Sequence, residues 1–227
     1  MTRDREVPQK RSRLRWPGLV LGLVALVVVV HYWPGRGTLH YFGIHTRHPA
    51  FDFSGPSRLP LAQPRNDVTG VANFAQISPQ LYRGAQPTAE GFGQLKRMGT
   101  KTIVNLRETH SDRGGMKGLG LRYAHLRFNP TRPEDHEVAE FLQVMRDPAN
   151  QPAFVHCLAG SDRTGTMVAI YRVVQQGWPM QEAVKELPRF GYHEVWTHLI
   201  RYLADFDRAR IERLVATQPP PKVEVVP

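Results

Sequence analysis

The chain predicts an α/β fold: one domain built on a mostly parallel central sheet flanked by helices. Three observations carry this. Short β-branched or apolar runs alternate with amphipathic helical runs across residues 67–215, the pattern of strands joined by crossover helices. Thr102–Leu106 reads as a strand buried on both faces, and Ala153–Val155 is apolar throughout. The second run leads into a short small-residue loop and then a helix start, which is where a parallel sheet places its ligand site.

A length of 227 residues allows one such domain with appendages. The appendages account for the charge. Residues 1–15 hold six Lys/Arg against two Asp/Glu, and residues 34–66 hold four Arg against one Asp. Residues 67–227 hold 20 basic and 17 acidic residues, so the formal +10 belongs to the front end and gives no case for nucleic-acid binding. Residues 16–35 contain no Asp, Glu, Lys or Arg. As a helix they would extend about 30 Å, enough to cross a bilayer core. Trp16, Tyr32 and Trp33 stand at the two ends as interfacial anchors, and no small-residue cleavage site follows. The expectation is one uncleaved N-terminal transmembrane helix, residues 16–35, behind a basic tail, residues 1–15. The six preceding basic residues put the N-terminus in the cytoplasm. The protein is then a single-pass protein of a bacterial inner membrane with its domain on the periplasmic side. Residues 36–66, rich in Pro, Gly, Arg and His, read as a linker or an irregular arm packed on the domain. The spacing of His31, His40, His45 and His48 fits no usual zinc pattern.

Within the domain, residues 67–215, Phe74–Ile77 and Leu81–Arg83 are short extended pieces around Ser78-Pro79. Thr88 is placed to cap a helix running to Met98 and ended by Gly99. After the Thr102–Leu106 strand, Asp112–Gly120 is a glycine-rich loop, and Arg122–Phe128 alternates as a strand. Pro133 opens a helix with Val138, Phe141, Leu142 and Met145 on one face. Ala153–His156 is the next strand, and helical patterns cover Thr164–Gln176, Met180–Leu187 and Glu194–Val215. Tyr192, His193 and Trp196 read as packing around the last helix, with a place on the pocket rim as the alternative. The Pro-rich tail, residues 216–227, is expected to be disordered.

The only cysteine, Cys157, opens the loop after Ala153–His156, which excludes an intrachain disulfide or a Cys-rich metal site. Arg163 lies six residues later, at the first turn of the following helix. A strand, small-residue loop and helix start lets backbone N–H groups converge on an anion. The spacing sets a thiolate below that anion and a guanidinium beside it.

His156-Cys157-Leu158-Ala159-Gly160-Ser161-Asp162-Arg163-Thr164-Gly165 resembles the HCxxGxxR[ST]G signature of cysteine-dependent protein tyrosine and dual-specificity phosphatases. Leu81-Tyr82-Arg83-Gly84-Ala85-Gln86-Pro87 and Thr102-Ile103-Val104-Asn105-Leu106-Arg107 resemble the bacterial, plant and fungal dual-specificity-like members. The similarity covers residues 70–205. It implies hydrolysis of phosphate monoesters through a phosphocysteine on Cys157, without metal or other cofactor. A helix N-terminus, converging amides and a nearby Arg favour the thiolate. Arg163 can grip two phosphate oxygens and follow them into the transition state. Leu158, Ala159, Gly160, Ser161, Asp162 and Arg163 supply the phosphate-binding N–H groups. Gly160 permits the tight turn, and Gly165 allows a close helix–sheet approach. The resemblance also implies that His156 shapes the loop and that Thr164 hydrogen-bonds the sulfur.

The proton donor departs from the commonest family pattern. The usual Asp would follow Arg122–Phe128, where the chain reads Asn129-Pro130-Thr131-Arg132. Glu134 and Asp135 come later but sit where acids ordinarily partner a helix N-terminus. Asp112 is a weaker candidate. Asp162, an acid inside an anion loop, matches the proposed acid of myotubularins and some secreted bacterial phosphatases, and is the preferred assignment. The absence of Lys or Arg at Leu158, Ala159 and Ser161 argues for a singly phosphorylated group, on a protein or a membrane lipid. The expected substrate is a phosphotyrosine or other phosphoprotein monoester, and the Asp162 resemblance and the anchor keep a lipid phosphate or phosphoinositide as the alternative. A silent phospho-binding module would be expected to have lost Cys157 or Arg163, and sulfur-transfer folds lack the Arg163-Thr164-Gly165 ending.

Overall fold

A computed structural model describes residues 50–227. The expected anchor, residues 16–35, and the basic tail before it lie outside the described residues. Among the described residues no helix is long and apolar enough to cross a membrane.

Six strands form one sheet: β1 (Ala75–Ser78), β2 (Leu81–Gly84), β3 (Thr102–Asn105), β4 (Arg122–His125), β5 (Ala153–His156) and β6 (Val223–Val225). Their order is β1-β2-β5-β3-β4-β6. The three central pairings, β2 with β5, β5 with β3 and β3 with β4, are parallel. The two edge pairings, β1 with β2 and β4 with β6, are antiparallel.

The period of two along each strand separates two cores. Ile103, Tyr123 and Phe154 face one side, against Phe92 and Leu95 of α1 (Ala89–Arg97) and Met116 of α2 (Arg113–Met116). Val104, Ala124, Ala153 and Val155 face the other. There they meet α3 (Asp135–Arg146), α4 (Asp162–Gln176), α5 (Met180–Ala183), α6 (Thr197–Ala204) and α7 (Arg208–Thr217). Thr88 caps α1 as expected, its side chain accepting from the Gly91 amide.

Four expectations need correction. The tail does not stay disordered over its whole length: β-branched Val223 and Val225 extend the sheet along β4, Val226 is buried, and its amide bonds the Leu121 carbonyl. The helical pattern over Glu194–Val215 is two helices, because Asp207 leaves the helical conformation and caps α7 by accepting from the Arg210 amide. The glycine-rich loop after Asp112 contains the single turn α2. After α5 the chain continues as a 3-10 segment over Val184–Phe190, which accommodates Pro188.

Residues 50–66 are an arm packed on the domain. Phe51 joins the core, and Arg65 and Phe74 form an antiparallel bridge. Ser57 Oγ and the Arg58 amide donate to Glu182, and the Ala62 amide donates to Glu186. Lys185, Ser57 and the Arg58 amide together pull the Glu182 carboxyl down to about 2.

Candidate active site

β5 is central, and His156 at its end has Gly84 of β2 and Asn105 of β3 as parallel neighbours. The loop that follows therefore emerges at the carboxyl end of the parallel strands. Cys157 is buried, whereas Leu158 and Ala159 are exposed. The loop runs directly into α4, a helix of 15 residues ended by Gly177 in the left-handed region. Its N-terminal dipole favours negative charge at the loop.

The loop's carbonyls determine where its amides point. The Cys157 carbonyl is bonded by His156 Nδ1 at 3.0 Å. The Leu158 carbonyl accepts from the Gln86 amide at 3.0 Å, and the Ala159 carbonyl from Asn73 Nδ2 at 3.1 Å. The Gly160 carbonyl accepts from Arg83 Nη2 at 2.6 Å, and the Ser161 carbonyl from the Gly165 amide at 2.8 Å. In a planar trans peptide the next residue's N–H points opposite the C=O. With every carbonyl drawn outward, the amides of Leu158 to Asp162 turn to the inner side of the loop. Those of Leu158, Ala159, Gly160 and Ser161 donate to no acceptor among the described residues. Gly160 makes the turn with φ of +73°, and a Cβ there would lie 2.4 Å from the Gly84 carbonyl carbon. Arg163, half-buried, makes only a 3.5 Å contact to the Leu106 carbonyl and forms no ion pair among the described residues. Its guanidinium fork is thus uncommitted.

His156 is held from behind. Its Nε2 lies 2.9 Å from Asp112 Oδ2, with both side chains fully buried. Gln86 Nε2 donates to Asp112 Oδ1 at 2.7 Å, and Arg107 donates to Gln86 Oε1. Burial would raise the Asp112 carboxyl, but the bond and charge of His156, with Gln86, outweigh it and hold the group below its usual range. Asp112 is thereby removed as a proton donor to a leaving group: it is a buried acceptor behind the loop, not a member of an exposed one.

The other acids separate as well. Glu134 is tied to Arg132, and Asp135 accepts from Tyr202 Oη and pairs with Arg210 at the start of α3. Asp162, in the first turn of α4, accepts from the His193 amide at 2.7 Å and lies 3.0 Å from His193 Nδ1. Of the two readings of His193, packing or pocket rim, these contacts favour the second. Burial and the Asp162 charge push the Tyr192 phenol well above its ordinary range, so it stays neutral.

Two supporting roles differ from expectation. Thr164 Oγ1 is buried without a hydrogen-bond partner, so it makes no bond to the Cys157 sulfur. Gly165 makes room for Leu187 of the 3-10 segment, whose Cδ2 would lie 2.7 Å from a Cβ there; the helix–sheet contact is not what requires it.

Arg83 and Asn73 were not singled out from sequence for roles at the loop. Arg83 is fully buried, its guanidinium 3.7 Å from the Phe190 ring centroid. Burial lowers it to about 10, so it remains charged at neutral pH. Asn73 adopts φ of 55° and also donates to the Phe190 carbonyl, tying the loop to the 3-10 segment. An Arg in a short strand and an Asn before it were the only sequence signals.

Residues 69–191 match the family described as DSP-PTPase phosphatase fused to NAD+ kinase. The chain belongs to this family. It is a cysteine-based phosphatase, and Cys157 is its only cysteine. Dual specificity protein phosphatase TpbA of Pseudomonas aeruginosa (strain UCBPP-PA14) is 33% identical over 150 residues, covering 63% of this chain and 68% of the relative. Inositol diphosphatase DSP5 of Arabidopsis thaliana is 26% identical over 149 residues, covering 62% of this chain and 72% of the relative. The crystal structure of P. aeruginosa TpbA in complex with pTyr matches with a TM-score of 0.60 at 29% identity, covering 76% of this chain and 100% of that one.

Two other features lie apart from the phosphatase loop. Glu134, His136 and Glu137 have ligand atoms within 4.8 Å of one another, but they sit at the positive end of α3, which disfavours a cation. A concavity of about 340 Å³ at the β4–β6 edge is lined by Arg113, His125, Lys222 and Glu224, with Glu224 already paired to Arg113 and Lys222.

Proposed function

We propose that this phosphatase hydrolyses phosphotyrosine-type monoesters through a phosphocysteine on Cys157. The observation that carries this is the outward-bonded carbonyl shell, which leaves the amides from Leu158 to Asp162 and the Arg163 fork for one phosphate. The Cys157 thiolate attacks phosphorus, and the bond to the ester oxygen breaks. Asp162 gives that oxygen its proton. A water then attacks phosphorus, Asp162 takes up its proton, and the S–P bond breaks to release phosphate and regenerate the thiolate. His193 anchors the Asp162 carboxyl through its amide and ring, and is open enough to connect the pair to solvent.

An aromatic ester suits the surroundings. Leu158 in the loop is 58% exposed and Val195, two residues beyond His193, is 77% exposed. Between Cys157 and Arg163 there is no second cation for a second phosphate. The second reading is an inositol phosphate or lipid phosphate, supported by the inositol diphosphatase relative and by Asp162 before Arg163. In either reading residues 16–35 would anchor the enzyme in the inner membrane with the domain in the periplasm.

The test is a panel of tyrosine phosphopeptides, phosphatidylglycerol phosphate and inositol phosphates, with a leaving-group series on Asp162→Asn. Fastest turnover of the peptides is expected, with losses of roughly 100-fold or more on poor leaving groups and far smaller losses on good ones. Equal losses across the series would remove Asp162 from the acid role, and preference for inositol or lipid phosphates would select the second reading. A periplasm-dependent reporter fused after Val215 should be active; an inactive fusion would reverse the topology.

A further inference from the structure

We propose that Arg83 is a positioning residue of the phosphate cradle, fixing the Gly160–Ser161 peptide from behind and supplying a permanent positive charge beneath Cys157. This rests on the reading of Cys157 and Arg163 as the cradle and adds a component behind it. Arg83 enters from β2, and its Nη2 is 2.6 Å from the Gly160 carbonyl. Peptide planarity converts that bond into an orientation: with the Gly160 oxygen held outward, the Ser161 amide points inward.

One hydrogen bond to a carbonyl does not require a guanidinium. Among the described residues Arg83 Nε and Nη1 are buried without partners, and no carboxylate is bonded to the group. Glu186, the acid that most favours its charge, is already paired with Arg172 at 2.6 Å. Arg83, Arg172 and Glu186 therefore leave one uncompensated positive charge in the interior. Burying such a charge is costly without an anion to meet it. Cys157 is the next group whose negative form favours the Arg83 charge. The other charged or titratable groups around Cys157 are His156 on β5 with Asp112 behind it, and Arg163 and Asp162 on α4. Stacking on Phe190 fixes the guanidinium plane.

The test uses the full chain, in which alkylation by iodoacetamide has one target because Cys157 is the only cysteine. Arg83→Met should raise the pH midpoint of alkylation by about one unit and weaken inhibition by inorganic phosphate roughly 10-fold. Arg83→Lys keeps the charge but loses the plane stacked on Phe190 that holds the donor against the Gly160 carbonyl, so the midpoint should stay near wild type while phosphate inhibition still weakens. An unchanged midpoint and unchanged phosphate inhibition in Arg83→Met would overturn the proposal, however far its melting temperature falls. Should Arg83→Met fail to fold, unchanged phosphate inhibition in Arg83→Lys overturns it equally. Retained hydrolysis of para-nitrophenyl phosphate by Cys157→Ser would instead fault the cysteine reading itself.

Discussion

Replacing Asp112 by Ala probes the support behind the loop. The carboxylate accepts from Gln86 Nε2 at 2.7 Å and lies 2.9 Å from His156 Nε2, with no solvent exposure of its side chain. Its removal leaves buried His156 Nε2 without its partner and half-buried Gln86 Nε2 with only a 3.5 Å contact to the Pro87 carbonyl, at about 1–3 kcal/mol each and up to the 3–5 kcal/mol of a broken buried pair. For a chain of this size each kcal/mol lowers the melting temperature by about 2–4 °C, so a fall of roughly 6–20 °C is expected. His156 also bonds the Cys157 carbonyl, so a loosened ring should cost roughly 10- to 100-fold in kcat/KM. Asp112→Asn separates charge from shape. Because the folded carboxyl lies below its usual range, its contribution is complete above the unfolded value of about 3.9 and is lost as pH falls through the lower folded value. The wild type should therefore lose stability more steeply than Asp112→Asn below about pH 4. Denaturant melts from pH 7 to 3, with phosphatase assays at neutral pH, measure both. A loss under about 1 kcal/mol in Asp112→Ala, or the wild-type acid slope retained in Asp112→Asn, would refute the reasoning.

Gly165→Ala drives a methyl into Leu187, at a cost of about 1–3 kcal/mol, and adding Leu187→Ala should recover part of it in a double-mutant cycle; additive losses would mean that Leu187 is not the obstacle. Deleting residues 219–227 removes β6 and buried Val226, so denaturant melts should show a loss of about 2–3 kcal/mol, with faster amide exchange along β4. An unchanged melt would restore the disordered-tail reading.

Local pattern and physical requirement coincide at several places. Thr102–Asn105 and Ala153–His156 are buried strands because parallel strands covered on both faces need side chains of that kind. Thr88 caps α1 because its hydroxyl accepts from the Gly91 amide three residues on, one of the helix's first N–H groups that have no partner within the helix. Cys157, Gly160 and Arg163 are legible because an anion loop needs those residue types at that spacing. Asp112, a weaker candidate for the proton donor, could not be assigned its role behind the loop because its partner His156 is 44 residues away in sequence. His193, 31 residues from Asp162, stayed undecided between packing and pocket rim for the same reason.

By itself, the sequence determined the α/β class, the strand–loop–helix around Cys157 and the phosphate chemistry, since all three follow from residues close in the chain. Only the tertiary structure decided which groups hold that loop open. Arg83, Asn73, Gln86 and His156 take its carbonyls from β2, the preceding turn and β5, and those donors meet the loop only once the parallel strands align. Hydrogen bonds of this kind depend on register and direction across the sheet, which residue types and spacing along one segment do not encode.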